Sequence, residues 1–204
     1  MKSEADAAEA RMRELIARHP PHPVTTRQVA IAYQHALLRI EENGIRSSVT
    51  GAEEKSLRVV PAAELAGATT VVPMLDDGRL VLVARYRYAP SKWSLEFPRG
   101  AGGALDLSWA EHAAQILADQ TGLAARSTIL VGATNPDPGI MAVGGIVVLA
   151  QGCRQESPQD LNDELIAGTL AVSSDCLDQL MLRGSIDCGP SLAAVALCRA
   201  FLAN

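Results

Sequence analysis

The stretch Glu96 to Leu123, EFPRGAGGALDLSWAEHAAQILADQTGL, places three glycines within its first eight residues and then turns into a helix with both ends marked. Ser108 and Glu111 stand at Ser-x-x-Glu spacing, so each side chain can satisfy the other's backbone N–H at a helix start. Gly122 is a helix stop, because glycine alone enters the left-handed region at little cost. Between them, Ala110, Ala113, Ala114 and Leu117 recur at helical spacing and predict the stripe that is buried. At about 100° per residue the opposite flank carries His112, Ile116, Asp119 and Gln120, while Glu111 and Gln115 point elsewhere. That flank therefore holds a single carboxylate, Asp119.

Outward from this loop and helix, the strand signals are strong on the N-terminal side. TVVPML at 70–75, a turn at Asp76, Asp77 and Gly78, and RLVLVARYRY at 79–88 predict an antiparallel hairpin, with β-branched residues in both arms. A polar loop at 89–93 leads into the short strand SLEF, and 98–107 reads as loop. Beyond the helix, strands are expected near 127–132 and 145–150, and helices near 174–182 and 191–202. Towards the N-terminus, Ala8, Met12, Leu15 and Ile16 mark a helix from Ser3 to Arg18, stopped by His19-Pro20-Pro21. The run Val24 to Ile40 fits strand or helix and leans towards a hairpin, with Glu41-Glu42-Asn43-Gly44 expected as a turn. The expected organisation is residues 1–67 as a helical arm with a β-hairpin, and residues 68–204 as a mixed α+β domain.

Composition narrows the classes of function. With 204 residues and 48% hydrophobic side chains the chain is able to bury a full core. Lys+Arg 18 against Asp+Glu 23 gives a net charge of −5, which leaves no electrostatic footprint for nucleic acid and no basic run for a membrane surface. The longest apolar stretches are too short to span a bilayer, and the charged opening, MKSEADAAEARMRELIARHP, is unlike a signal peptide, so a soluble cytoplasmic protein is expected. Cys153, Cys176, Cys188 and Cys198 show no Cys-x-x-Cys pairing and no nearby histidines, which fits reduced thiols rather than a zinc site.

The segments Arg85 to Tyr88 (RYRY), Ser94 to Gly100 (SLEFPRG), Gly100 to Leu123 and the ending GSIDCGPSLAAVALCRAF together resemble the Nudix superfamily. The likeness is greatest to its ADP-ribose and nucleoside-diphosphate-sugar pyrophosphatase branch and runs from about Tyr33 to the C-terminus. The family box ends in Arg-Glu-apolar-x-Glu-Glu-x-Gly-apolar, against which Gln115 to Leu123 aligns without gaps. The apolar positions and Gly122 match; the arginine and two of the three glutamates are replaced, by Gln115, Ile116 and Gln120. Asp119 stands where the middle glutamate belongs. One residue more than the box allows separates Gly100 from Gly122, and Asp106 sits near the place of the loop glutamate.

The resemblance implies a Nudix fold, in which mixed β-sheets lie between helices in α/β/α layers, and an activity that hydrolyses a nucleoside diphosphate linked to another group. In such enzymes carboxylates on one helix face hold magnesium or manganese, which neutralises pyrophosphate oxygens and helps generate the attacking hydroxide. Here Asp119 is the candidate metal ligand, and Asp106, Asp119, Gln120 and Glu164 are the candidate catalytic residues, with Asp160 and Asp163 beside Glu164 in a late acidic loop. Arg85, Arg87, Glu96 and Arg99 are the candidate substrate-binding residues, arginine being suited to bidentate phosphate recognition. His112 reads as a base, a transition-metal ligand or a plain surface residue. Pro136 to Val143 resembles a substrate loop whose usual polar continuation is apolar here. The missing glutamates imply weak or lost catalysis; the alternative is a non-catalytic module that binds a nucleotide-type ligand. The N-terminal arm and hairpin resemble the segment through which such pyrophosphatases form homodimers.

Overall fold

In the computed structural model, residues 4–62, 67–102, 107–158 and 164–203 are described. The chain divides into two compact units, Met1–Val60 and Pro61–Asn204. The described residues form four helices and two sheets, the mixed α+β class that the sequence implies. No helix among them is long and apolar enough to cross a membrane.

The first unit contains α1 (Glu4–Ile16), β1 (Val24–Gln34), β2 (Leu38–Ser47) and β3 (Glu53–Pro61), the strands ordered β1-β2-β3. No residue of α1 is buried. β1 and β2 are antiparallel from Val24 opposite Ser47 to Gln34 opposite Arg39. Their turn lies at His35 to Leu37, where His35 N–H donates to the Leu38 carbonyl at 2.8 Å and Leu37 N–H donates to His35 Nδ1 at 3.2 Å. The turn expected at Glu41 to Gly44 is not there; those four residues lie inside β2. Glu41 and Asn43 are buried, Arg39 Nε donates to Glu41 Oε1 at 2.7 Å and Asn43 Nδ2 to Glu41 Oε2 at 3.4 Å. Residue types that favour turns here form a hydrogen-bonded polar row along one strand face.

The second unit holds β4 (Ala68–Leu75), β5 (Leu80–Arg87), β6 (Lys92–Glu96), β7 (Arg99–Ala101), α2 (Trp109–Thr121), β8 (Leu123–Ala124), β9 (Ser127–Thr134), β10 (Gly145–Gln155), β11 (Ile166–Val172), α3 (Ser174–Leu182) and α4 (Gly189–Leu202). Its sheet runs β11-β5-β4-β10-β8, with β6 on β5, β7 on β4 and β9 on β10. β4 and β10 are parallel, Thr69 facing Ile146. The β4–β5 hairpin turns at Asp76 to Gly78, where Gly78 has φ of 83° and its N–H donates to the Leu75 carbonyl. Successive residues of a strand face opposite ways, so Val71 and Val148 enter one core with Ala113, Ile116 and Leu117 of α2. Val72, Val147 and Leu149 enter another with Leu177 of α3 and Val195 of α4. Helices thus cover both faces of the sheet, the layering that the resemblance implies.

Several strands depart from the sequence reading: β7 occupies part of the expected loop, β10 runs past Ala150 by a bulge between Gln151 and Cys153, and β3, β8 and β11 are additional to it. Gly168 interrupts β11 at a register shift, which hides its alternation. The cysteines separate by depth: Cys153 and Cys198 are buried, and burial pushes both thiols up to about 11, whereas Cys176 is exposed. All four are free thiols.

Candidate functional site

Arg85 and Arg87 alternate along β5 with Val81 and Val83, so all four side chains face one side of the sheet. β6 runs antiparallel to β5 and sets Glu96 directly across from Val83, on that same side. The result is a wholly buried carboxylate among guanidinium groups. Arg87 holds Glu96 bidentately: its Nε donates to Oε2 at 3.1 Å and its second donor, from a terminal nitrogen, reaches Oε1. Arg85 Nε lies 4.0 Å from Oε1, and Arg99 Nε lies 3.6 Å from Oε2. The arginine side chains keep between 15% and 29% of their surface exposed while the glutamate keeps none. Solvent or a ligand therefore meets the cations first. Beside this cluster Ser191 Oγ accepts the Phe97 N–H at 3.0 Å, fixing the strand exit where Glu96 stands. Ser191 was not singled out by the sequence, since its partner is a backbone group far along the chain.

The helix end of the site is built as the sequence predicts. Ser108 accepts the Glu111 N–H while the Glu111 carboxylate accepts from Ser108, and the Ser108 hydroxyl followed by its N–H holds the Glu111 carboxyl below its usual range. Gly122 closes the helix with φ of 69°. The flank is where the structure corrects the expectation. Ile116, placed on the exposed side by the helical projection, is 5% exposed, whereas Ala114 of the expected apolar stripe is exposed. The cause is β7, which folds back over the helix, so the buried arc is wider and rotated towards it. A side-chain carbon added at Gly100 would lie 3.0 Å from Ile116 Cδ1, tighter than an ordinary contact, so glycine suits the close approach of β7 to the helix.

Gln120 completes that seam. Its Nε2 donates to the Arg99 carbonyl at 2.9 Å and its Oε1 accepts the Arg99 N–H at 3.3 Å, matching an amide to a peptide group in both directions. A glutamate there has no donor for the carbonyl. His112 sits at the other end, its Nδ1 within 3.2 Å of Thr69 Oγ1, and burial lowers its pKa below 6.5. The folded state thus prefers neutral His112, so its contribution to stability is intact above pH 6.5 and is lost as the pH falls from there through the lowered folded value. Urea midpoints measured between pH 7.5 and 5.5 are expected to fall less in His112→Gln than in the parent. Equal slopes would remove His112 from the acid sensitivity of the fold.

Among the other candidates, Asp119 is exposed. Glu164 is exposed in the turn before β11, and the neighbouring Leu165 carbonyl accepts the Tyr86 N–H at 2.8 Å, which brings that turn onto the β5 segment between Arg85 and Arg87. Asp106, Asp160 and Asp163 lie outside the described residues. Among the described residues, no three His, Cys, Asp or Glu side chains come together where they could hold a metal ion. Ile116 offers no oxygen, and the Gln120 amide is engaged with Arg99.

No protein-family profile matches the chain, and no curated protein matches it. Among solved structures it is similar to an ADP compounds hydrolase, with a TM-score of 0.77 at 20% sequence identity, over 89% of this chain and 95% of that one. At that identity the likeness is one of fold.

Proposed function

We propose, from a fold shared with an ADP compounds hydrolase, that this chain is a Nudix-type protein of the ADP-ribose and nucleotide-sugar pyrophosphatase kind. In this reading it recognises a nucleoside diphosphate linked to a second group, and its hydrolysis of that linkage is weak or lost. The observation that carries the reading is the buried Glu96 with Arg85, Arg87 and Arg99 around it. One carboxylate gathers three guanidinium groups whose outer surfaces remain partly exposed, which makes the cluster a preorganised anion site. Weak catalysis follows from the helix flank. Of the positions that hold carboxylates in the enzymes it resembles, Ile116 and Gln120 serve packing and a peptide contact, and Asp119 alone keeps a charge.

The test is a paired assay of the purified protein with ADP-ribose, nucleotide sugars and dinucleoside polyphosphates. At least one is expected to raise the melting temperature, since a ligand held at about 100 times its Kd adds about 2.7 kcal/mol to the folded state. Turnover is expected to lie at least about 10²-fold below that of an enzyme with a positioned base. Rapid hydrolysis abolished by Asp119→Ala would show instead that Asp119 and the acidic loops assemble a working site. Neither stabilisation nor turnover with any of these compounds would remove the nucleotide reading.

A further inference from the structure

We infer that Gln120 is a positioning residue of the anion site: it holds the Arg99 peptide along the outer edge of β7 and so sets where the Arg99 guanidinium meets a ligand's phosphate. This rests on the nucleotide-binding reading above and concerns how one of its arginines is held in place. β7 is three residues long and pairs antiparallel with β4, Arg99 opposite Thr70 and Gly100 opposite Thr69. The Val71 N–H donates to the Pro98 carbonyl at 2.9 Å on one side of the Arg99–Thr70 pair, and the Gly102 N–H donates to the Gly67 carbonyl at 2.9 Å beyond the end of β7. Hydrogen-bonded and non-hydrogen-bonded pairs alternate along an antiparallel ladder, and this spacing makes Arg99–Thr70 a non-hydrogen-bonded pair. The N–H and C=O of Arg99 therefore point away from β4, to the opposite edge of β7.

Among the described residues β7 pairs with no strand but β4, and Gln120 supplies at its other edge what a further strand would. The amide Nε2 donates to the Arg99 carbonyl at 2.9 Å, and Oε1 accepts the Arg99 N–H at 3.3 Å. Both peptide groups are thus satisfied in a partly buried place, where leaving them unpaired is costly. From this anchored backbone the Arg99 side chain reaches Glu96, Nε lying 3.6 Å from Oε2, with 29% of its surface open. A ligand that meets a guanidinium on a fixed backbone has less to order on binding. The match is one of residue type as well as place: a glutamate at 120 would present a carboxylate to Arg99 and no donor to its carbonyl. The position that carries a box glutamate in the enzymes this chain resembles thus serves the arginine of the anion site.

The test is isothermal titration calorimetry with ADP-ribose, nucleotide sugars and dinucleoside polyphosphates in magnesium chloride, on the parent, Gln120→Met, Arg99→Gln and the double variant. Methionine keeps the length of glutamine and loses both hydrogen bonds. Gln120→Met is expected to bind about three- to tenfold more weakly, the scale of a neutral hydrogen bond, and Arg99→Gln at least about tenfold more weakly. The double variant is expected to bind as Arg99→Gln does, within about twofold, because a residue that acts through Arg99 has nothing left to act on. A role in stability alone would lower the melting temperature and leave these affinities unmoved. Where Gln120→Met melts below the assay temperature, Gln120→Asn, one methylene too short to reach the strand, carries the same comparison. Parent-like affinity in the Gln120 variant or in Arg99→Gln, or losses that multiply in the double variant, overturns this inference and leaves the nucleotide reading standing. No binding of any of these compounds by the parent overturns both.

Discussion

Glu96→Ala is expected to destabilise the 61–204 unit by about 3–5 kcal/mol, the cost of removing one partner from a buried ion pair. Glu96 has no exposed surface, and its two oxygens face Arg87, Arg85 and Arg99. Without it, three cations that were arranged around an anion repel one another from partly desolvated positions. Glu96→Gln keeps the size and one acceptor but not the charge, so it should fall between the parent and the alanine variant. Both tryptophans, Trp93 and Trp109, lie in this unit, so urea unfolding followed by tryptophan fluorescence reports it directly. Added salt should recover part of the loss, because it screens the remaining repulsion. A loss below about 1 kcal/mol, the range of exposed ion pairs, would mean that the arginines are solvated independently and that no preorganised anion site exists.

The second large effect is expected from Ile116→Glu, which installs the residue type that the Nudix box of the proposed family carries at the aligned position. Rather than restoring a metal site, it should cost about 3 kcal/mol or more, from about 1.5–3 kcal/mol of lost apolar burial plus the desolvation of a carboxylate. The reason is the seam: Ile116 fills the space beneath Gly100 and belongs to the core formed with Val71, Ala113 and Leu117. The measurement is again the urea midpoint, paired with hydrolysis of ADP-ribose in magnesium. A variant as stable as the parent that gains magnesium-dependent turnover would show that the flank is open and that one substitution separates it from an enzyme.

These two substitutions mark where the sequence could be read and where it could not. The α2 helix was legible because its signals are local: Ser108, Glu111 and Gly122 act on backbone groups within a few residues of themselves. The β4–β5 hairpin was legible for the same reason. Arg85, Arg87 and Glu96 were named from the resemblance, and their meeting on one side of the sheet follows from strand alternation and the antiparallel pairing of β5 with β6. What escaped depends on distant chain. Helical projection gives a stripe from local spacing alone, and both the rotation and the widening of the buried arc to take in Ile116 are set by β7 folding over it. The partner of Gln120 is a peptide group, which carries no side-chain signature. Glu41 to Gly44 misled because residues that favour turns also serve as a buried hydrogen-bonded row, and only the surroundings decide between the two.

The parallel pairing of β4 with β10 carries a consequence for kinetics. Thr69 meets Ile146 only after most of the intervening domain has been threaded past, yet both hydrophobic cores are built on these two strands. Loop-closure entropy is spent before either core returns any of it, which places this unit among slow folders, in the range of milliseconds to seconds. Until that encounter the edge of β4 that receives β10 is open while β5 and β7 pair its other edge, so a central strand of the finished sheet is an unpaired edge during folding.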